Sequence, residues 1–331
     1  MKTERTLRFL AAADVRQALP MPEAIAAMRA AFRELSECLA VVPPRVNIAI
    51  PEHKGDVLFM PAYSPAARRL GLKVITLFED NRALGLPFIQ ALVMIFDAQT
   101  GSPIAIMDGT TLTALRTGGA SGVATDLLAR PDASRVAIFG AGIQAWTQLE
   151  AVCAVRPIRT ARIFDVDRAR AEAFAEEART TLKISATAVA TPAAALDGAE
   201  VVCTATTSTT PVFSDHELPP GAHINAVGSY KPYVREIPAA TVVRATVVVD
   251  QTASAWEEAG DLIMPRKDGL ITAHHIQAEL GEIIAGRKQG RRDHDEVTLF
   301  KSVGLAIQDL VAADYALAKA EALQMGTCVP V

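Results

Sequence analysis

The stretch that most constrains this chain is a run of four apolar residues followed by a glycine-rich turn. Residues 136–139 predict a buried strand, because side chains buried on both faces of a parallel sheet are apolar without alternation. Gly140 and Gly142 then turn the chain, and residues 144–155 carry apolar positions at helical spacing. With Ala145 as the third small residue, the pattern G-x-G-x-x-A lets a helix N-terminus approach a pyrophosphate closely. The stretch therefore predicts a dinucleotide site.

An acidic residue lies where the second strand of this unit should end. Residues 160–165 form the predicted strand, and Asp165 follows Gly140 at a spacing typical of the acid that hydrogen-bonds an adenosine ribose. A helix N-cap and a solvated loop acid are the alternative roles for this aspartate. The carboxylate favours NAD(H), while NADP(H) stays possible because Arg168 follows in the next helix.

Strands and helices continue to alternate after Asp165, at lengths typical of a doubly wound parallel sheet. The predicted elements cover residues 167–179, 184–189, 192–196, 199–206, 222–228 and 245–250. Strand ends near Thr206 and at residues 227–229 fall on the carboxyl edge, where such sheets bind ligands. The predicted fold class of residues 116–314 is therefore α/β, with a Rossmann-type doubly wound parallel sheet.

The chain before the glycine turn lacks this alternation. Residues 21–38 predict an amphipathic helix, and several strands follow it without helices between them. The predicted strands cover residues 45–50, 56–63, 70–78, 86–96 and 103–107. They predict a separate α+β domain for substrate binding and dimerisation with a mostly antiparallel sheet, which we expect to comprise residues 1–115 and 315–331.

Four further segments have helical patterns. Residues 110–129 are rich in small side chains, which let a helix approach its neighbours closely. Residues 252–262, 276–285 and 298–323 also read as helices, and the last is long enough to return to the first domain.

Composition excludes several classes of function. The net charge of −4 gives no reason to expect nucleic acid or an anionic membrane surface, and no run is long and apolar enough to span a membrane. The four cysteines lack C-x-x-C spacing, and the six histidines show no metal-binding pattern. Residues 1–5 lack the apolar core of a signal peptide. We therefore expect a cytoplasmic protein without a metal site.

Three cations stand out before the glycine turn. Arg45 begins a strand, Lys73 lies inside an apolar strand, and Arg116 lies in the small-residue helix. A buried lysine must meet an anion or lose its proton, and three such cations could bind a carboxylate. Each could instead form a salt bridge to a neighbouring acid or extend along the surface to solvent. The sequence has no evident catalytic triad or carboxylate pair. These three cations beside a dinucleotide site therefore favour hydride transfer, in which the cofactor carries out the difficult step.

Several motifs match those of one protein family. They lie in order at residues 85–87, 108–117, 140–145, 224–229, 279–282, 285–287 and 298–304. By these motifs the chain resembles the ornithine cyclodeaminase/mu-crystallin family over nearly its whole length.

The resemblance implies a homodimer, an N-terminal domain completed by the C-terminal helix, and a small imine or amino-acid substrate. It implies that Arg45, Lys73 and Arg116 bind the substrate carboxylate and carry catalysis, with Lys73 a proton donor in some members. Val303 would touch the substrate. The expected cofactor site then comprises Arg116, Thr117, Gly140, Gly142, Ile143, Gln144, Ala145, Asp165, Thr206, Val227, Gly228, Ser229, Tyr230 and Ser302.

Two departures from the family pattern bear on the activity. Cyclodeaminases and the related alanine dehydrogenase carry an aspartate two residues before the proline that is Pro232 here, whereas this chain has Tyr230. Phe88 replaces a threonine common in the family. The resemblance therefore favours an NAD(P)H-dependent reductase of a cyclic imine carboxylate, of the Δ1-pyrroline-2-carboxylate or Δ1-piperideine-2-carboxylate type. The alternatives are an ornithine cyclodeaminase, an alanine-type amino-acid dehydrogenase, and a mu-crystallin-like protein that binds ligand without turnover.

Overall fold

The computed structural model describes residues 6–331, apart from the side chain of Arg82. The N-terminal residues 1–5, for which we expect no signal peptide, lie outside the described residues. The chain divides into two compact units. The first comprises the chain up to Arg116 together with Leu305–Val331, and the second is Thr117–Gly304. The boundary at residue 315 expected from the sequence falls inside a helix whose residues all belong to the first unit.

Strands and helices are numbered along the chain. They are β1 (Thr6–Leu10), α1 (Ala12–Ala18), α2 (Met21–Ser36), β2 (Val46–Ile50), β3 (Gly55–Ser64), β4 (Arg69–Phe78), β5 (Ile89–Asp97), β6 (Pro103–Asp108), α3 (Gly109–Leu128), β7 (Arg135–Phe139), α4 (Ile143–Val155), β8 (Thr160–Phe164), α5 (Arg168–Leu182), β9 (Ser185–Ala188), α6 (Pro192–Leu196), β10 (Val201–Thr204), β11 (His223–Ala226), α7 (Ala239–Arg244), β12 (Thr246–Val249), α8 (Thr252–Glu258), α9 (Gly260–Lys267), β13 (Ile276–Glu279), α10 (Leu280–Ile284), β14 (Thr298–Lys301), α11 (Ala306–Ala322) and β15 (Thr327–Pro330).

A seven-stranded sheet organises the first unit, in the order β15-β1-β6-β5-β4-β3-β2. Neighbouring strands run antiparallel, except that β1 pairs in parallel with β6. The prediction of a mostly antiparallel sheet is confirmed. The sequence analysis omitted β1 and β15, two short strands near the chain ends that pair with each other.

One face of β4 lies against the last helix of the chain. α11 packs on β3 and β4, and α2 packs on α11. A Cβ at Gly71 would lie 2.7 Å from Leu310 Cδ1, so the absence of a side chain lets the helix approach the strand. Because side chains alternate along a strand, Lys73 lies on the same face as Gly71 and meets the same helix.

An eight-stranded parallel sheet organises the second unit, in the order β13-β12-β14-β11-β10-β7-β8-β9. From β7 the chain adds β8 and β9 on one side, and β10 and β11 then lie on the other. The strand order therefore reverses between β7 and β10, which is the switch point where such sheets bind ligands. The prediction of an α/β fold with a doubly wound sheet is confirmed.

Three helical predictions are wrong in part. Residues 276–279 form the edge strand β13, so only Leu280–Ile284 is helical there, and residues 298–301 form β14. All four residues of β14 are buried, and the strand lies between β11 and β12. Buried and exposed positions therefore do not alternate along it, and its sequence reads as part of the helix that follows. Gly304, with φ of +79°, separates the two elements. The predicted helix at residues 252–262 is also interrupted, at Ala259, into α8 and α9.

The structure offers no membrane-spanning helix within residues 6–331, since none is both long and apolar enough. Cys38, Cys153, Cys203 and Cys328 are free thiols.

Candidate functional site

The glycine-rich turn joins β7 to α4. Gly140 has φ of +97°, and a Cβ there would lie 2.6 Å from the carbonyl oxygen of Ala205, so the position requires glycine. Gly142 is the N-cap of α4 and has no side chain to cap it, which leaves the first amides of the helix to an anion. Ala145 is fully buried where α4 lies on the sheet. The turn has the geometry of a pyrophosphate site.

Three further residues of the predicted cofactor site lie on two helices: Ile143 and Gln144 begin α4, and Thr117 lies in α3. Ile143 is exposed and Gln144 half-buried at the N-terminus of α4. The Oε1 atom of Gln144 is buried without a hydrogen-bond partner among residues 6–331, so it is an acceptor that a bound molecule could use. Thr117, the first residue of the second unit, is buried.

Asp165 lies directly after β8 and contacts the glycine turn. Its Oδ2 accepts a hydrogen bond from the Ala141 amide at 2.7 Å, and its Oδ1 accepts one from the Asp167 amide at 2.9 Å. Asp167, rather than Asp165, is the N-cap of α5. Arg168 pairs with Glu172 on its own helix at 2.8 Å, which is the ordinary position of a solvated helical arginine. Asp165 is thereby fixed beside the turn.

The remaining predicted cofactor residues follow the strands on the other side of the switch point. Thr206 lies just after β10, and the Val227 amide donates to the Thr204 carbonyl, which keeps the two strand ends together. Gly228 and the buried Ser229 follow β11. Tyr230 is half-buried and packs against the core of the second unit.

Ser302 and Val303 lie in the turn after β14, and Asp250 organises that turn. Its Oδ2 accepts hydrogen bonds from Ser302 Oγ at 2.9 Å and from the Val303 and Gly304 amides at 2.9 and 2.8 Å. Val303 is buried in the core of the second unit. The sequence analysis had not identified Asp250, whose position at the end of β12 was the available signal.

A cluster of charges lies inside the first unit. Lys73 Nζ lies 2.6 Å from Asp309 Oδ2, and Arg116 Nε lies 3.0 Å from Asp309 Oδ1. Arg116 Nη1 also donates to Gln308 Oε1 at 2.9 Å. Lys73, Arg116 and Asp309 are all buried. The structure therefore brings together Lys73 and Arg116, and each forms the salt bridge that the sequence analysis left open, with one shared acid.

Burial sets the protonation of this cluster. Burial lowers the pKa of Lys73 most, the charge of Asp309 opposes the fall, and the positive charges of Arg116 and Arg45 add to it, so that the pKa is about 8. Arg45, half-buried just before β2, is therefore close enough to act on Lys73. Burial alone would raise the pKa of Asp309, but the charges and hydrogen bonds of Lys73 and Arg116 hold it below its ordinary value. Asp309 is thus the anion that permits two cations to be buried.

Sequence reasoning missed Asp309, although a signal was present. Gln308 and Asp309 interrupt an otherwise apolar run near the start of α11, and both are fully buried or nearly so. A lysine inside an apolar strand predicts a buried acid elsewhere in the chain. Polar residues within the apolar face of α11 were the candidates for that acid. No group of three or more histidine, cysteine or acidic side chains that could hold a metal occurs in the part of the chain that the structure describes.

Comparison with known proteins agrees with the motifs. The model of the ornithine cyclodeaminase/mu-crystallin family matches residues 5–323. The Delta(1)-pyrroline-2-carboxylate reductase of a Bacillus cereus strain is 40% identical over 312 residues, which are 94% of this chain and 96% of that protein.

Two solved structures have the same fold over nearly the whole chain. The Thermococcus litoralis Delta(1)-pyrroline-2-carboxylate reductase in complex with NADH and L-proline has a TM-score of 0.94 and 42% identity, covering 97% of this chain and 99% of that one. An archaeal alanine dehydrogenase dimer with bound NAD has a TM-score of 0.91 and 33% identity, covering 98% and 99% of the two chains.

The charge cluster generates a prediction about Lys73. Asp309→Asn removes the negative charge that raises the pKa of Lys73, so this pKa should fall below about 8, by about one unit or more. Heteronuclear NMR titration of lysine-labelled protein measures the shift. Asp314→Asn, on the same helix but paired with Arg69 at 3.1 Å, is the matched control and should leave Lys73 unchanged. An unaltered Lys73 titration in the Asp309 variant would contradict the assignment.

Proposed function

The chain belongs to the ornithine cyclodeaminase/mu-crystallin family, and we propose that it reduces a cyclic imine carboxylate with NADH. Δ1-Pyrroline-2-carboxylate, the substrate named for the Bacillus cereus relative, represents the substrate class, and L-proline would be its product. Δ1-Piperideine-2-carboxylate, one ring carbon larger, belongs to the same class. The protein is on this proposal an NAD(P)-dependent oxidoreductase acting on C=N bonds.

The observation that carries this proposal is the burial of Lys73 and Arg116 on one carboxylate, Asp309. Two cations share this one acid, so Lys73, Arg116 and Asp309 together keep a net positive charge for the carboxylate of a substrate. The planar guanidinium groups of Arg45 and Arg116 suit a carboxylate, and they would orient the imine carbon and nitrogen for reaction.

The reduction needs one hydride and one proton. When bound, NADH supplies the hydride to the imine carbon. As the π electrons of the C=N bond move to nitrogen, Lys73 donates a proton from Nζ and so completes the CH–NH product. With a pKa of about 8, Lys73 is protonated near neutral pH yet releases its proton more readily than an ordinary lysine. It then regains a proton from water.

The second unit supports NAD(H) as the cofactor. Gly140 permits the tight turn, and the N-terminus of α4 has no side-chain cap to compete with a pyrophosphate. The carboxylate of Asp165 is fixed beside this turn by the Ala141 amide, where it would accept hydrogen bonds from a ribose and repel a 2′-phosphate. Arg168 is engaged by Glu172 and gives no support for NADP(H).

Tyr230 favours a reductase over a cyclodeaminase. It occupies the position of the aspartate in cyclodeaminases, and a phenol, with an ordinary pKa of about 10, is a weak base near neutral pH. An alanine-type dehydrogenase is the second candidate, because the archaeal alanine dehydrogenase shares the fold at 33% identity, although Tyr230 replaces the aspartate of the related alanine dehydrogenase as well.

A homodimer is part of the proposal. The face of β4 and β5 opposite to α11 is apolar and half-exposed, with Leu72, Val74, Leu92 and Met94 along it. A groove lined by Val74 and Leu92 runs over this face. An apolar sheet face of this kind is typical of a surface that a second subunit covers.

We expect the purified protein to oxidise NADH when given Δ1-pyrroline-2-carboxylate and to produce L-proline. Lys73→Met should lower kcat by about 10²–10⁴-fold, because it removes the proton donor. Calorimetric titration should show the Kd for NADH unchanged. Lys54→Met, at an exposed lysine of the same unit, is the control and should keep full activity. Ammonia release from ornithine would instead indicate a cyclodeaminase, turnover of pyruvate with ammonia an alanine dehydrogenase, and NADH binding without any turnover a ligand-binding protein.

The cofactor preference should depend on Asp165. Wild-type protein should show a higher kcat/KM with NADH than with NADPH, and Asp165→Ser should reduce that preference because it removes the repelling carboxylate. Asp167→Ser is the matched control, since serine also serves as an N-cap for α5. A wild-type preference for NADPH that Asp165→Ser does not alter would contradict the assignment.

The proposed dimer should have twice the chain mass of 35.2 kDa in light scattering at micromolar concentration. Leu92→Glu should produce monomers, because it places a charge in the apolar sheet face. Val243→Glu changes an exposed valine of the second unit and should leave the mass unchanged. A wild-type protein of monomer mass would refute the dimer.

A further inference from the structure

We propose that Glu236 is a positioning residue for the nicotinamide half of the cofactor. It holds the segments that follow β10 and β11 in the one shape that receives this half. The inference rests on the proposed function, because it assumes that the second unit binds NADH. Glu236 lies outside every strand and helix and directly contacts the predicted cofactor positions Thr206 and Gly228.

Glu236 accepts four hydrogen bonds from the two strand ends. Its Oε1 accepts from the Thr206 amide at 2.7 Å and from Thr206 Oγ1 at 2.8 Å. Its Oε2 accepts from Thr204 Oγ1 at 3.0 Å and from the Gly228 amide at 2.8 Å. The side chain is fully buried. One carboxylate therefore joins the end of β10 to the end of β11.

Each oxygen of Glu236 accepts from one backbone amide, that of Thr206 or that of Gly228, and an amide nitrogen can only donate. Burial raises the pKa of Glu236, and the charge of Lys301 opposes that rise. In either orientation a glutamine would put its NH₂ group against one of these two amides, so the segments could not keep their present arrangement.

Glu236 is itself held by a buried ion pair. The amides of Glu236 and Ile237 both donate to Asp261 Oδ1, at 2.7 and 2.9 Å. Lys301, the last residue of β14, lies with its Nζ 2.9 Å from Asp261 Oδ2 and donates to the Ser229 carbonyl. Polar contacts thus connect the carboxyl ends of three adjacent strands, β10, β11 and β14, and Glu236 joins two of them.

Gly228 provides an independent sign of this arrangement. A Cβ at this position would lie 2.5 Å from Glu236 Oε1 and 2.5 Å from the Thr206 carbonyl oxygen. The space that a side chain would need is therefore filled by Glu236 and by the segment after β10. Residue 228 is glycine because the carboxylate packs against its backbone.

The topology indicates which half of the cofactor a substitution of Glu236 should affect. The glycine turn and Asp165 belong to β7 and β8, on the side of the switch point that receives the adenosine half. β10, β11 and β14 lie on the other side, which receives the second mononucleotide half. All four side-chain hydrogen bonds of Glu236 go to the ends of β10 and β11, so its loss should affect nicotinamide binding and spare adenosine binding.

The test compares two probes, NADH and ADP, by calorimetric titration. ADP contains the adenosine and pyrophosphate and lacks the nicotinamide half. Glu236→Gln should raise the Kd for NADH about tenfold or more, since at least one buried hydrogen bond is lost, while the Kd for ADP stays within about twofold. Thr206→Val removes one of the four donors to Glu236, together with the acceptor of the Ser208 amide, and should raise the Kd for NADH by less.

Glu200→Gln is the matched control. Glu200 is a buried glutamate of the same unit that accepts backbone hydrogen bonds from Ser134 and Arg135, at the opposite edge of the sheet. The Glu200→Gln variant should bind both NADH and ADP with unchanged affinity.

The proposal would be overturned if Glu236→Gln lost affinity equally for NADH and ADP, or lost affinity for neither. If that variant does not fold, Thr206→Val decides by the same comparison. Wild-type protein that fails to bind NADH would instead refute the proposed function.

Discussion

A buried ammonium group must meet a buried carboxylate, and this requirement explains much of how the first unit is built. Lys73 lies in β4 and Arg116 lies in α3, yet the acid that compensates both comes from α11, far along the chain. Gly71 permits this by letting α11 approach β4 closely. The burial of these two charges and the packing of the sheet therefore depend on the same helix.

The second unit also depends on acidic side chains, which there hold turns in place. There the predicted cofactor residues lie largely in turns after the strands. Carboxylates supply the order: the half-buried Asp165 holds the glycine turn, the buried Asp250 holds the turn after β14, and the buried Glu236 holds the segments after β10 and β11. Each accepts backbone amides, and each lies at the carboxyl edge of the sheet. Acidic side chains thus fix the backbone of these turns at the carboxyl edge of the sheet.

The sequence predicted those parts of the molecule whose signals are local. The glycine turn between β7 and α4 and the cation Lys73 could be identified because each pattern lies within a few residues. β14 was missed since a short strand buried on all sides has no periodicity of its own. Asp309 and Glu236 were missed for another reason. Their roles depend on partners far away in the chain, at Lys73 and at Thr206, and only the folded structure brings these together.

The late position of α11 affects how the chain can fold during synthesis. Arg116 and its acid, Asp309, are 193 residues apart. At about 5–20 residues per second, a ribosome needs roughly 10 to 40 s to make the intervening chain. During that time the second unit is completed, while the first still lacks the helix that neutralises its buried cations. The strands of the first unit therefore cannot complete their packing, or pair their buried cations with Asp309, until α11 has been translated.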